Sequence, residues 1–224
     1  MTTRALIFAL LWTVRAGAAY MHIRVCNESA SSDKTVKHAM RVINAIFDPL
    51  HIAVAWSACK NGGPTQDLVS GLPITIRLRS DSPEHAPRGD ETDLMGRAFT
   101  SDHAAELQAD TYYRAIKELA QRDQNDFAEA LAYIIAHEIG HLLLGEGHVE
   151  GTIMCTRWTS KTLAAAERRQ ITFNSNQRAA LHRELLSRLN QGEATRTAAP
   201  PPDPTAPPYS PAKSQKSVRR RRIP

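Results

Sequence analysis

The chain of 224 residues fits one domain of ordinary size with extensions at its ends, so a single core is expected. Its formal charge of +5 is unevenly placed: residues 1–19 contribute +2 and residues 191–224 contribute +5, which leaves the body between them near −2. A nucleic-acid role argued from overall basicity would rest on the tail alone, and no specific nucleic-acid partner is expected.

Residues 1–19 begin Met1-Thr2-Thr3-Arg4, run through apolar Ala5 to Val14, and end in the small residues Ala16, Gly17, Ala18 and Ala19. That is the pattern of a cleavable secretory signal peptide, and it implies a secreted or periplasmic protein. The run is too short for a bilayer span of about 20 helical residues, so no membrane span is expected. The competing reading, a core helix, would start at the extreme end of the chain with no cap.

Along the body, "MHIRVCN" (21–27) alternates polar His22 and Arg24 with apolar Ile23 and Val25, as a strand does. A helix is expected next, with Val36, Met40, Ile43 and Phe47 at helical spacing, Ser32 or Asp33 as N-cap and Pro49 as the stop. "HIAVAWSAC" and "LPITIRLRS" read as two more strands, separated by the turn "KNGGPTQD". Residues 81–93 form a polar loop, and "LMGRAFTSD" after it is a candidate short edge strand. In "ELQADTYYRAIKELAQ" a strand is expected to lead into a helix, since Thr111-Tyr112-Tyr113 favour the first and Ala115 to Ala120 the second. A long helix follows, opened by Asn125 or Asp126 and closed by Gly145. Leu181, Leu185 and Leu189 mark a last helix, capped near Asn174 to Asn176. From Gly192 onward proline and charge dominate, so residues 191–224 are expected to be a disordered tail and residues 20–190 the domain. The order of elements fits one α+β domain with a mixed sheet and a helix under it.

Cys26 and Cys59 each end an expected strand and are the candidates for a bridge in an oxidising compartment. Cys155 is then left over, either a small buried filler or a thiol close to a metal.

The chemistry concentrates in "AHEIGHLLLGEGHVEGTIMC", residues 136–155. His137 and His141, four apart on a helix, project from the same face and could grip one metal. Zinc prefers a tetrahedral shell, and a catalytic site leaves one of its four positions to water, so a third protein ligand is required. His148 is the candidate, with Glu146 and Glu150 as alternatives. Glu138 cannot line up with the pair as a ligand, but its carboxylate could take a proton from the water and return it to a leaving amine. Apolar Ile134, Ile135, Ile139, Leu142, Leu143 and Leu144 make the helix a buried one, and burying two histidines and a glutamate without partners would be costly.

These residues resemble the metzincin class of zinc metallopeptidases, whose signature is H-E-x-x-H-x-x-G-x-x-H with a methionine turn beneath the metal. They look most like small exported bacterial proteins with H-E-I-G-H-L-L-L-G, a short insert, a histidine and then G-I-M ahead of a tryptophan, here Trp158. The resemblance spans roughly residues 20–190 and is strong from 130 to 160. It implies a metzincin-like domain with a twisted mixed sheet, a long active-site helix, a methionine turn and a C-terminal helix. It also implies Zn2+ on His137, His141 and His148, Glu138 as general base, Gly145 as the bend and Met154 as the turn methionine. The chain departs from the signature in one respect: His148 lies seven residues after His141 instead of six, and Gly145 is likewise one place late.

The implied activity is a secreted zinc endopeptidase that hydrolyses peptide bonds of a protein or peptide substrate with zinc-activated water. The strand at "LMGRAFTSD" offers an edge to which an extended peptide could add. The second class is a non-catalytic, zinc-stabilised secreted binding protein, in which Cys155 would close the shell; the third is a metal-free secreted binding module. Between Met154 and the tail no tyrosine follows to serve the developing oxyanion, and Tyr112 and Tyr113 are candidates only if the fold brings them near. The remaining histidines read as surface or structural, and no oligomeric state follows from the sequence.

Overall fold

The computed structural model describes residues 19–59, 71–81, 95–99 and 107–198, with side chains up to 191. Segments 1–18 and 199–224, the expected turn after Cys59 and most of the loop after Asp81 lie outside the described residues.

β1 (Ala19–Glu28) alternates strictly between buried and part-exposed positions, which puts Ala19, Met21, Ile23 and Val25 on one face. The strand thus begins at Ala19, the last residue of the segment with the leader pattern. α1 (Asp33–Phe47) follows; the Ser32 hydroxyl accepts from the Thr35 N–H, and Pro49 enters a single 3-10 turn at Asp48–Leu50. β2 (Ile52–Ala58) and β3 (Leu72–Arg79) come next, then β4 (Gly96–Phe99) and β5 (Leu107–Tyr112). The sheet order is β2-β1-β3-β5-β4; only β4 runs antiparallel, and it lies at the edge.

β5 passes directly into α2 (Tyr113–Arg122), and no side chain caps the junction. The helix start is served by a tertiary bond instead, the Arg114 N–H donating to the Ser80 carbonyl at 3.1 Å. α3 (Phe127–Leu144) has Asp126 as N-cap, its Oδ1 accepting from Ala128 N at 2.7 Å and Glu129 N at 3.0 Å. α4 (Ser160–Glu167), capped by Thr159, was not expected from the sequence; eight residues carry too little periodicity to announce a helix. α5 (Ser175–Ala198) starts with a reciprocal capping pair, Asn174 Oδ1 accepting from Gln177 N and Gln177 Oε1 from Asn174 N, each at 2.9 Å. It continues past Gly192 and stops short of Pro200.

The mixed α+β architecture matches the expectation. One sheet face packs on the helices, with β1 and β3 against α5, and β4 and β5 against α3, which also packs on α1. α3 has the length and mean hydropathy, 1.3, of a membrane span, yet most of it is buried in this core. On the other face Arg77 holds Asp110 through two bonds, Nε to Oδ1 at 2.5 Å and Nη2 to Oδ2 at 2.9 Å.

Cys26 and Cys59 are joined by a disulfide across the strand ends, 33 residues apart in sequence. A crosslink over that separation restricts the unfolded chain, so replacing both cysteines with serine should lower unfolding free energy by about 2–4 kcal/mol. Urea denaturation would check this; an equal midpoint for the variant and the oxidised native protein would count against it.

Candidate metal and catalytic site

The site is built on the C-terminal half of α3 and the turn that follows. Gly145 ends the helix with φ 81, a conformation that L residues rarely adopt, and its N–H still bonds the His141 carbonyl at 3.0 Å. The chain then doubles back through residues 146–148 into a tight turn. Val149 N donates to Met154 O at 2.6 Å, the Thr152 hydroxyl donates to the Val149 carbonyl at 2.8 Å, and Gly151 supplies φ 75. Gln177 of α5 donates to the Thr152 hydroxyl at 3.2 Å, which pins the turn to the last helix. Of the two glycines flanking Glu146, only Gly145 uses a positive φ.

This path brings His148 to the helical pair despite the extra residue. Its ring lies 4.7 Å from that of His141 and 5.5 Å from that of His137, centroid to centroid. One ligand atom from each of the three histidines lies within 4.8 Å of the others. Burial is graded: His137 is buried, His141 half-buried and His148 exposed, so the group opens to solvent on the His148 side.

Hydrogen bonds fix how these rings present themselves. His137 Nδ1 meets the Ile153 carbonyl at 2.7 Å, and His141 Nδ1 meets the Gly145 carbonyl at 2.9 Å. A carbonyl only accepts, so both Nδ1 atoms carry the proton and both Nε2 atoms offer bare lone pairs. Those two Nε2 atoms face each other at 2.9 Å. Two lone pairs at that distance repel unless something positive lies between them. A proton is a poor answer at His137, because burial above all, helped by His141 and His148, pushes its pKa down to about 4 against the lift from the Ile153 carbonyl. A divalent cation satisfies all three nitrogens, and an all-imidazole donor set suits zinc.

Glu138 follows His137 on α3 and is 4% exposed. Burial drives its pKa up to about 8, opposed by the backbone N–H of Ala98, which donates to the carboxylate; nearby Glu146 adds to the rise. Met154 packs against α3 from below: a Cβ at Gly140 would run into its sulfur. The glycine inside H-E-I-G-H is thus the seat of the turn methionine. Trp158 also lies against the group, edge-on to His137 with centroids 6.1 Å apart.

Other expected candidates sit elsewhere. Glu150 uses Oε1 to accept from Thr156 N at 3.1 Å, bracing the turn, and neither it nor Glu146 joins the donor group among the described residues. Cys155 is buried, its thiol donating to the Arg157 carbonyl at 3.5 Å, and burial lifts its pKa to about 11, so it stays a protonated filler. Tyr113 packs edge-on against Phe127 at 5.1 Å. Tyr112 is buried at the end of β5, where the charges of Asp110 and Glu138 reach it. His38 approaches Glu129 at 3.9 Å and His51 closes the 3-10 turn, while His85 and His103 lie outside the described residues. Sequence reasoning missed the parts supplied by backbone or by emptiness: the Ile153 carbonyl, the Ala98 N–H and the spaces at Gly140 and Gly96.

In outline the chain is similar to archaemetzincin from Methanopyrus kandleri: 16% identity, TM-score 0.49, covering 77% of this chain and 99% of that one. It is similar to metalloproteinase-II from Bacteroides fragilis at 15% identity and TM-score 0.45, covering 75% of this chain and 53%, about half, of that one. A zinc-dependent peptidase from Methanocorpusculum labreanum also matches, at 15% identity and TM-score 0.45, over 71% of this chain and 99% of that one. No family model matches the chain, and no curated protein matches it in sequence. Likenesses of this degree concern the course of the chain; what the site can do is read from its own side chains.

The raised pKa of Glu138 has a measurable sign in metal-free protein. A folded value of about 8 above an unfolded 4.5 means that stability is fully present below 4.5 and is lost as the pH rises through 8. Glu138→Gln, which mimics the neutral acid, should therefore raise the urea midpoint of the zinc-free protein by a margin that widens across this window. A margin independent of pH would show that the carboxyl ionises freely in the fold.

Proposed function

We propose that the protein is an exported zinc-dependent metallopeptidase, with zinc held by His137, His141 and His148 and Glu138 as general base. The observation that carries this reading is the pair of Nε2 atoms, 2.9 Å apart on rings whose Nδ1 atoms meet carbonyls, with a third imidazole beside them and a buried carboxylate next in sequence. Among the described residues the group has three donors, and Cys155 is committed to Arg157. A structural zinc site closes its fourth position with protein, whereas three ligands and an open side suit catalysis. That distinction favours the enzyme over a zinc-stapled binding protein.

When bound, zinc would supply the Lewis acidity that polarises a peptide carbonyl and lowers the pKa of a water. The chain supplies the rest. Glu138 accepts the proton of the attacking water and passes it to the leaving amine, and its burial keeps bulk water from competing.

β4 offers an edge for an extended substrate. Tyr112 N donates to the Met95 carbonyl at 2.8 Å, so alternation along the strand turns the hydrogen-bonding groups of Met95, Arg97 and Phe99 toward β5. Those of Gly96 and Ala98 face the other edge, where no strand pairs among the described residues; the Ala98 N–H there is held by Glu138, which leaves the Gly96 groups and the Ala98 carbonyl to a peptide. An extended peptide adding to that edge would lie beside Glu138. The leader pattern of residues 1–19 and the Cys26–Cys59 disulfide both suit an oxidising compartment outside the cytosol.

The test pairs metal content with hydrolysis. Purified protein should carry one zinc per chain, as structural stoichiometry requires of a single three-histidine site. Glu138→Ala should keep the zinc and lose about 10²–10⁴ in peptide hydrolysis, while His148→Ala should lose zinc. Zinc bound equally by wild type and Glu138→Ala with no hydrolysis of a peptide library by either would reject the peptidase in favour of the binding protein.

A further inference from the structure

Gly96, the first residue of β4, has no backbone reason to be glycine. Its φ lies outside the left-handed region, so the backbone would accept any L side chain. Space would not. A Cβ built there meets three atoms first, and all belong to one side chain: Oε1, Cδ and Cγ of Glu138. Glycine weakens a strand, and in a strand it often marks a place where another group comes close. Here that group is the carboxylate next to the first helical histidine.

Two residues along, the Ala98 N–H donates to the same carboxylate. Gly96 and Ala98 share the helix-facing side of β4, because neighbouring positions alternate and Gly96 pairs with the buried Thr111 of β5. Glu138 is therefore clasped by the edge strand: the absent side chain at 96 makes the room, and the amide at 98 supplies the bond.

We propose that Gly96 is a positioning residue, its missing side chain being the space in which the Glu138 carboxylate stands against β4. The proposal deepens the peptidase reading and rests on it for the role of Glu138. A general base must come within about 2.6–3.2 Å of its proton, and a misplacement of about 1 Å can cost 100-fold in rate. A methyl group at 96 cannot be met by swinging the carboxylate tip alone, since Cγ is struck as well as Oε1. The whole acid must move, and the bond from Ala98 is lost. The same strand would also pair with a peptide, so one element sets the positions of both the base and the substrate.

The experiment is a double-mutant cycle with Gly96→Ala, Glu138→Ala and the pair, followed by thermal melting of zinc-free protein. Gly96→Ala should melt several degrees below wild type, whereas adding it to Glu138→Ala should change little, because alanine at 138 removes all three atoms that the methyl would strike. Should Gly96→Ala alone fail to fold while the pair folds, the coupling is shown more strongly. In zinc-loaded protein, Gly96→Ala should keep its metal and lower kcat by about 10–100-fold with KM little changed. Equal losses of melting temperature in both backgrounds, or an undiminished kcat, would overturn the proposal. Coupling in the melts with no hydrolysis by wild type would uphold the placement of the carboxylate by Gly96 and reject the peptidase reading instead.

Discussion

The structure turns on one short hydrogen bond, His137 Nδ1 to the Ile153 carbonyl at 2.7 Å. α3 is nearly all apolar, and a buried imidazole on such a helix is tolerated only if its ring nitrogens are satisfied. The carbonyl takes one of them and fixes the tautomer, so the other faces His141 as a bare lone pair. To bring that carbonyl under the helix the chain must reverse within a few residues of Leu144. The reversal needs the positive φ of Gly145 and of Gly151, the Thr152 hydroxyl within the turn, and Gln177 of α5 to hold it. The C-terminal helix, far from the chemistry in sequence, is in this sense part of the site.

The same constraint explains the small residues around the histidines. Gly140 faces Met154 and Gly96 faces Glu138, and at each place a Cβ would occupy space that another side chain fills. Close packing leaves no slack for even one methyl group, so both positions are read as glycine. Met154 presses the helix from the turn, and β4 presses Glu138 from the sheet. The ionisable side chains are thereby packed from the turn and from the sheet, while His148 remains exposed.

Much of the fold was legible in advance where local chemistry and tertiary need agree. The alternation in β1, the Ser32 cap and Pro49 around α1, and Asp126 and Gly145 at the ends of α3 each state in a few residues what the structure does there. α4 was not legible, because a single short amphipathic stretch has no period long enough to read. The strand-to-helix switch at Tyr112 and Tyr113 showed as an ambiguity, and the Ser80 carbonyl, distant in sequence, caps what no side chain does. α5 runs past Gly192 into the segment expected to be tail, since one glycine lowers helix propensity without forbidding the helix, and the next proline comes only at 200.

By itself the sequence determined the pieces that depend on spacing along the chain: two histidines one helical turn apart, an acid beside the first, a glycine to end the helix, and an α+β order of elements. It named His148 as the third, seven residues after His141, with Glu146 and Glu150, five and nine residues on, as the alternatives. The folded chain brings the three rings together through local bonds of the turn and one longer contact, from Ile153 to His137. Thr156 claims Glu150, Arg157 claims Cys155, and Ile153 orients His137, which leaves the His148 ring beside the pair. Spacing along one helix is a local property written in the residues themselves, whereas the partner of each polar atom is settled only when packed surfaces exclude the alternatives.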